Sequence, residues 1–148
     1  MKRRALILCT GNSARSQMAE AWLRELAPEH FEVASAGSRP SVVHPLAVRA
    51  MAERHIDISG QRSKHLREFI DREFDFVITV CERAAQSCPD FPGPARRLHW
   101  SFSDPAAVEG GEKERLESFR RVRDAIEQRL REWLLEGSSA SAQDHDWQ

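Results

Sequence analysis

Ala5-Leu6-Ile7-Leu8-Cys9-Thr10-Gly11-Asn12-Ser13-Ala14-Arg15-Ser16, followed by Met18, Ala19, Trp22, Leu23 and Leu26 at helical spacing, decides the architecture. A short apolar run of strand length passes through a tight polar loop into an amphipathic helix. In that loop, Gly11 is expected to let the backbone enter the left-handed region, and Asn12 tolerates similar angles. The N–H groups of Thr10, Gly11, Asn12, Ser13, Ala14, Arg15 and Ser16 can then curl toward the positive end of the helix and cradle an oxyanion. Arg15 can grip two oxygens of a tetrahedral, doubly charged group. The same donors stabilise a thiolate at Cys9, a nucleophile at neutral pH.

Working outward, Phe31 to Ser35 reads as a second strand closed by Ala36-Gly37, and Pro45 opens a second helix that ends near Arg54. Phe74 to Val80 is rich in β-branched and aromatic residues, as in a strand buried on both faces of a parallel sheet. Cys88-Pro89-Asp90-Phe91-Pro92-Gly93-Pro94 can only be a loop. Arg97 to Trp100 forms a fourth strand, and Leu116, Phe119, Val122, Ile126, Leu130 and Trp133 stripe a long closing helix. Alternating strands and helices predict an α/β fold: one open, mainly parallel four-stranded sheet with helices on both faces, binding ligands beyond the carboxyl ends of the strands. One domain over 1–136 and a disordered tail over 137–148 are expected.

The 148 residues carry 22 Lys and Arg against 23 Asp and Glu, a net charge of −1. No whole-chain field points to nucleic acid or a membrane, so any anion site is local. The basic start Met1-Lys2-Arg3-Arg4 precedes an apolar run too short for a signal core or a membrane span. Three cysteines without an export signal suggest a reducing, cytoplasmic setting. Nothing in the chain demands more than a monomer. Zinc is disfavoured because structural sites want closely paired ligands, whereas the six histidines are scattered.

Cys81 directly follows the buried strand, and Cys88 comes seven residues later. Each alone could be a small buried hydrophobe; together, two thiols becoming one disulfide can deliver two electrons. Asp104, made extended by Pro105, can project its carboxyl over the anion loop as a general acid; the alternative is a cap for the last helix.

The loop from Cys9 to Ser16 resembles that of the low-molecular-weight protein tyrosine phosphatases and of the arsenate reductases built on the same, flavodoxin-like fold. Val80-Cys81-Glu82-Arg83-Ala84-Ala85-Gln86-Ser87-Cys88-Pro89 resembles the redox segment of the thioredoxin-coupled arsenate reductases. Leu98-His99-Trp100 with Asp104-Pro105 resembles the stretch that those reductases carry downstream of it. The resemblance implies arsenate as substrate, thioredoxin as reductant and no tightly bound cofactor, with glutaredoxin as the other possible donor. It implies that Cys81 resolves an arsenylated Cys9 and that Cys88 then attacks Cys81, with Glu82 to Ser87 a marginal helix that unwinds. A potassium site of that family would fall on Asn12, Glu20 and Ser35; the fourth position holds Lys64, whose ammonium would replace the ion. The basic cluster Arg62, Lys64, His65 and Arg67 reads as a solvated face. A phosphatase acting through a phosphocysteine at Cys9 is the alternative. Against it, Ala106-Ala107 stand where the phosphatases carry aromatic residues, the chain has no tyrosine, and Ala14 replaces their second loop cysteine.

Overall fold

The structure is a computed structural model and describes residues 2–81 and 90–139. Four strands, β1 (Arg3–Leu8), β2 (Phe31–Ala36), β3 (Phe76–Thr79) and β4 (Arg96–His99), form one sheet in the order β2-β1-β3-β4. Every pairing is parallel. Among the described residues three α-helices accompany it: α1 (Arg15–Leu26), α2 (Pro45–Ala52) and α3 (Glu112–Ser139).

Sheet order fixes where chemistry can happen. The chain leaves β1 through α1 to reach β2 on one side, then returns across to β3 on the other. The crevice at that reversal, beyond the carboxyl ends of β1 and β3, is where open α/β sheets bind ligands. Leu8 pairs with Ala36 on one side and Thr79 on the other, so β1 ends level with both neighbours. Cys9 and Cys81 leave adjacent strands at this edge.

Alternation along β1 divides the core. Ala5 and Ile7 join Met18, Leu23, Leu46, Met51, Phe119 and Trp133, so α1, α2 and α3 share one face. Phe31, Phe76 and Trp100 close on the Trp133 indole, with ring centroids 5.1–5.6 Å apart, distances at which edge-to-face and tilted aromatic pairs add to area burial. Leu6 and Leu8 face the other way, onto Val77, Phe69 and Phe91. There the helical cover among the described residues is a single 3-10 turn, Leu66–Phe69. Among the described residues, helices thus cover the two faces unequally.

The closing helix runs through Ser139 with Gly137 buried, past the expected end of ordered chain at 136. Two further helical residues beyond a buried position are what a helix with a docked face supports before its end frays. Residues 140–148, the rest of the expected tail, lie outside the described residues, as does the expected marginal helix from Glu82 to Ser87. No helix among the described residues is long and apolar enough to cross a membrane.

Candidate active site

The loop between β1 and α1 is held by its own carbonyl groups. Thr10 O accepts from Arg39 N at 2.9 Å, and Ser13 O accepts from His44 N at 2.9 Å. Gly11 O accepts from Ser63 Oγ at 3.0 Å and Asn12 O from Gln17 Nε2 at 3.0 Å. Four successive carbonyls are therefore engaged by residues outside the turn. Because a trans peptide sets N–H opposite to C=O, the N–H groups of Gly11, Asn12, Ser13 and Ala14 are directed the other way, into the loop. α1 begins at Arg15 with no side-chain cap on its first turn. Converging N–H groups and a helix N-terminus together form a cradle for an anion.

One expectation about this turn is corrected. The left-handed residue is Asn12, at φ 45°, and Gly11 does not have a positive φ. A Cβ on Gly11 would meet nothing closer than 3.8 Å. The glycine that the loop requires is Gly37, at the end of β2, where a Cβ would lie 2.4 Å from Thr10 O and 2.6 Å from Cys9 O. No side chain fits there, so β2 can close directly against the loop.

Cys9 is a free thiol and is buried. Its Sγ lies 2.8 Å from Ser16 Oγ. The direction of that bond is set by its neighbours. Asn12 Oδ1 accepts from Gln17 Nε2 at 2.9 Å and from Lys64 N at 2.9 Å, which fixes the amide. Asn12 Nδ2 then donates to Ser16 Oγ at 2.8 Å and to Ser35 Oγ at 2.9 Å. A hydroxyl has one proton; with its oxygen accepting from Asn12, Ser16 is free to donate to sulfur, the arrangement a thiolate wants. Asn12, Ser16, Gln17 and Ser35 are all fully buried, so this order is shielded from competing water.

The network ends on a neutralised carboxylate. Ser35 Oγ donates to Glu20 Oε1 at 2.5 Å, and Arg24 binds Glu20 Oε2 at 2.6 Å. Lys64 Nζ stands 3.9 Å from Glu20 Oε1 and donates to Arg62 O at 3.0 Å. Burial pushes the Lys64 ammonium below its ordinary pKa, and Glu20 opposes that push. The four positions that match the family's potassium site are thus brought together, but Asn12 offers its amide N–H groups to Ser16 and Ser35 and both its acceptor bonds are taken. These residues do not fit a potassium ion. The basic segment is also more than a solvated face: Arg62 pairs with Glu68 at 2.7 Å, while Lys64 N and Arg62 O bind Asn12 and Gln17.

Arg15 donates to Phe102 O at 3.1 Å, and its second terminal nitrogen lies 3.9 Å from Asp104 Oδ2. Asp104 is extended, as a residue before proline should be. Its carboxyl accepts from Ala106 N at 3.0 Å, capping the short 3-10 turn Pro105–Ala107 and not the last helix. Cys81 is buried and disulfide-bonded. Its Sγ lies 3.9 Å from the carbonyl oxygen of Leu8, the residue before Cys9. Cys88 lies outside the described residues.

Residues 4–144 match the family model described as low molecular weight phosphotyrosine protein phosphatase. The chain belongs to that family. Within it, the chain is 45% identical to an arsenate reductase of Bacillus subtilis over 130 residues, 88% of this chain and 94% of the relative. A solved arsenate reductase in the oxidized state superposes with a TM-score of 0.75 at 32% identity, covering 88% of this chain and 95% of that one. A thioredoxin-dependent arsenate reductase of Corynebacterium glutamicum superposes with a TM-score of 0.63 at 32% identity, covering 88% of this chain and 61% of that one. The Cys9 loop is accompanied here by two further cysteines, Cys81 and Cys88, in a chain similar to reductases along most of its length.

Sequence reasoning found Cys9, Asn12, Arg15, Ser16, Glu20, Ser35, Lys64, Cys81 and Asp104, which the fold gathers at one edge of the sheet. It missed Gln17, Gly37 and Ser63, which hold the loop from behind. Gln17 carried a signal: it is a polar residue directly after Arg15-Ser16, on the helix face that Ser16 and Glu20 share, where burial demands a partner.

Proposed function

We propose that this chain, an enzyme of the arsenate reductase branch of its family, reduces arsenate through a relay in which Cys9 is the nucleophile, Cys81 the resolving thiol and Cys88 the last thiol, with thioredoxin restoring the reduced state. The Cys9 thiolate attacks arsenic, an oxygen leaves as water after protonation from Asp104, and a Cys9–arsenic bond forms. Arg15 and the inward N–H groups hold the remaining oxygens. The Cys81 thiolate then attacks Cys9 Sγ. The electron pair of the sulfur–arsenic bond leaves with arsenic, which departs as arsenite, and a Cys9–Cys81 disulfide remains. Attack by the Cys88 thiolate on Cys81 Sγ expels Cys9 as a thiolate and leaves a Cys81–Cys88 disulfide, which a thioredoxin dithiol reduces.

One observation carries this reading: Cys81 is disulfide-bonded while Cys9, a neighbour at the same sheet edge, remains a free thiol. That is the thiol inventory with which the relay ends. The half-exposed carboxyl of Asp104, 42% accessible, would gain its shielding only with an anion seated below it.

The same cradle serves a phosphocysteine equally well, and the family's description favours that second reading. Following NADPH oxidation with thioredoxin, thioredoxin reductase and arsenate separates the two. Sustained turnover by the native protein, reduced to at most one turnover in Cys88→Ser, is the expected result. Absence of arsenate-dependent oxidation together with brisk aryl phosphate hydrolysis would make this a phosphatase.

A further inference from the structure

Arg97 occupies a position that neither the anion loop nor the thiols explain. It lies in β4, opposite Val77 of β3, on the rigid sheet. Its guanidinium points back over the turn that brings the chain into β4. Nε donates to Asp90 Oδ1 at 3.3 Å, and one terminal nitrogen donates to Gly93 O at 3.1 Å and to Ala95 O at 3.0 Å. The other terminal nitrogen donates to Phe91 O. One side chain thus binds four residues of a six-residue turn, including three main-chain carbonyls.

The turn has a second anchor. Phe91 is buried, edge-on to Phe74 with centroids 5.6 Å apart, in the cluster beneath the sheet. Its N–H is taken by Asp90 Oδ1 at 2.8 Å. Gly93 has φ 114°, so the turn is one a β-branched or bulky residue could not make. A tightly tied turn of this kind is unexpected on an exposed edge, because Arg97 itself is 41% accessible and a single surface ion pair to Asp90 would contribute little. What the geometry achieves is a fixed point in the chain.

That fixed point is two residues from Cys88, whose Cα can lie no more than about 7 Å from that of Asp90. On the other side, Val80 and Cys81 are buried and tied to β1 through Val80 N and Leu8 O at 3.0 Å. The described residues on either side of Cys88 in the chain, up to Cys81 and from Asp90 onward, are thus both anchored to the sheet. We propose that Arg97 is a positioning residue of the thiol relay: it holds the downstream end of the Cys88 segment so that Cys88 stays within reach of Cys81. This rests on the relay reading above and adds a residue to it. A planar fork with five N–H donors can bridge several carbonyls at once, whereas an ammonium is a point donor.

The step that depends on Arg97 is the exchange in which Cys88 attacks Cys81 and Cys9 leaves. Arsenite release precedes it and needs only Cys9 and Cys81. Reduced native protein, Arg97→Ala and Arg97→Lys are each mixed with arsenate without thioredoxin, quenched over time, assayed for arsenite and mapped for disulfides by mass spectrometry; steady-state turnover with thioredoxin is measured separately. In both variants, arsenite release in the first turnover is expected within twofold of native. The Cys9–Cys81 disulfide should accumulate in place of Cys81–Cys88, and thioredoxin-coupled turnover should fall about tenfold, a factor set by lost orientation.

Unchanged disulfide partition in Arg97→Ala overturns the proposal, as does an equal fall in arsenite release and turnover, the mark of general structural loss. Full recovery in Arg97→Lys also overturns it, since charge alone would then suffice. If the native protein releases arsenite but forms neither disulfide, the relay itself fails, and Arg97 with it.

Discussion

The stretches that follow β1 and β3 leave the same edge of the sheet, level at Leu8 and Thr79, and their described residues are anchored by different means. After β1, successive carbonyls of Thr10, Gly11, Asn12 and Ser13 are each bonded to a neighbouring segment, and the Asn12 side chain alone makes four hydrogen bonds. After β3, the described residues are fixed at the two ends, at Cys81 and at the Asp90–Ala95 turn. A loop that must present a constant set of donors to a tetrahedral ion is braced residue by residue, because electrostatic preorganisation is lost with small displacements. Among the described residues, the contrast teaches that two stretches leaving one sheet edge can be anchored in different ways, one carbonyl by carbonyl and the other through a single strand arginine at the Asp90–Ala95 turn.

Breaking the braced side should have the largest effect. Asn12→Ala removes the amide that orders Ser16, Ser35 and the Lys64 N–H, and single-turnover arsenite release is expected to fall about 100-fold, the scale of removing one preorganised donor at a developing charge. A loss confined to later, thioredoxin-dependent turnover would place Asn12 on the wrong side of the contrast. Next in size is Gly37→Ala, where the new methyl must displace Thr10 O and Cys9 O. Urea unfolding should show a loss of about 1–3 kcal/mol, typical of overpacking at a site that cannot relax; an unchanged midpoint would mean that β2 and the loop separate easily. The smallest expected effect sharpens the electrostatic side. Because Arg24 and Lys64 both place positive charge beside Glu20, exchanging sodium for potassium should change turnover less than twofold, and a large stimulation would show that a metal ion binds there.

Much of this was legible in residues alone, for physical reasons that differ by region. β1 and β3 are apolar because a central parallel strand is buried on both faces, so their positions and the cysteines at their ends could be read directly. The loop could be read because few residue types satisfy an anion cradle. Which residue takes the left-handed conformation could not: glycine has the lower intrinsic cost, but Asn12 gains two donors and two acceptors by adopting it, and tertiary bonds outweighed propensity. Gly37 looked like a strand terminator, since close approach of a distant backbone leaves no local trace. Arg97 was just one member of a short strand, because the four acceptors it binds are a loop's carbonyls and one carboxylate, invisible without the turn. The far end of α3 passed the expected boundary because Ser and Gly weaken a helix without stopping one whose face is docked.

Strand adjacency also bears on how such chemistry can arise. With β1 and β3 side by side and level at Leu8 and Thr79, a residue just past the end of β3 is next to the anion loop whatever its identity. The position is buried, and cysteine is a small hydrophobe that fits where alanine or serine would. A hydrolytic scaffold of this topology is thus one conservative replacement away from having a second sulfur beside its nucleophile, with no helix moved and no core repacked. On the proposed relay, redox function is a small variation on a fixed piece of geometry.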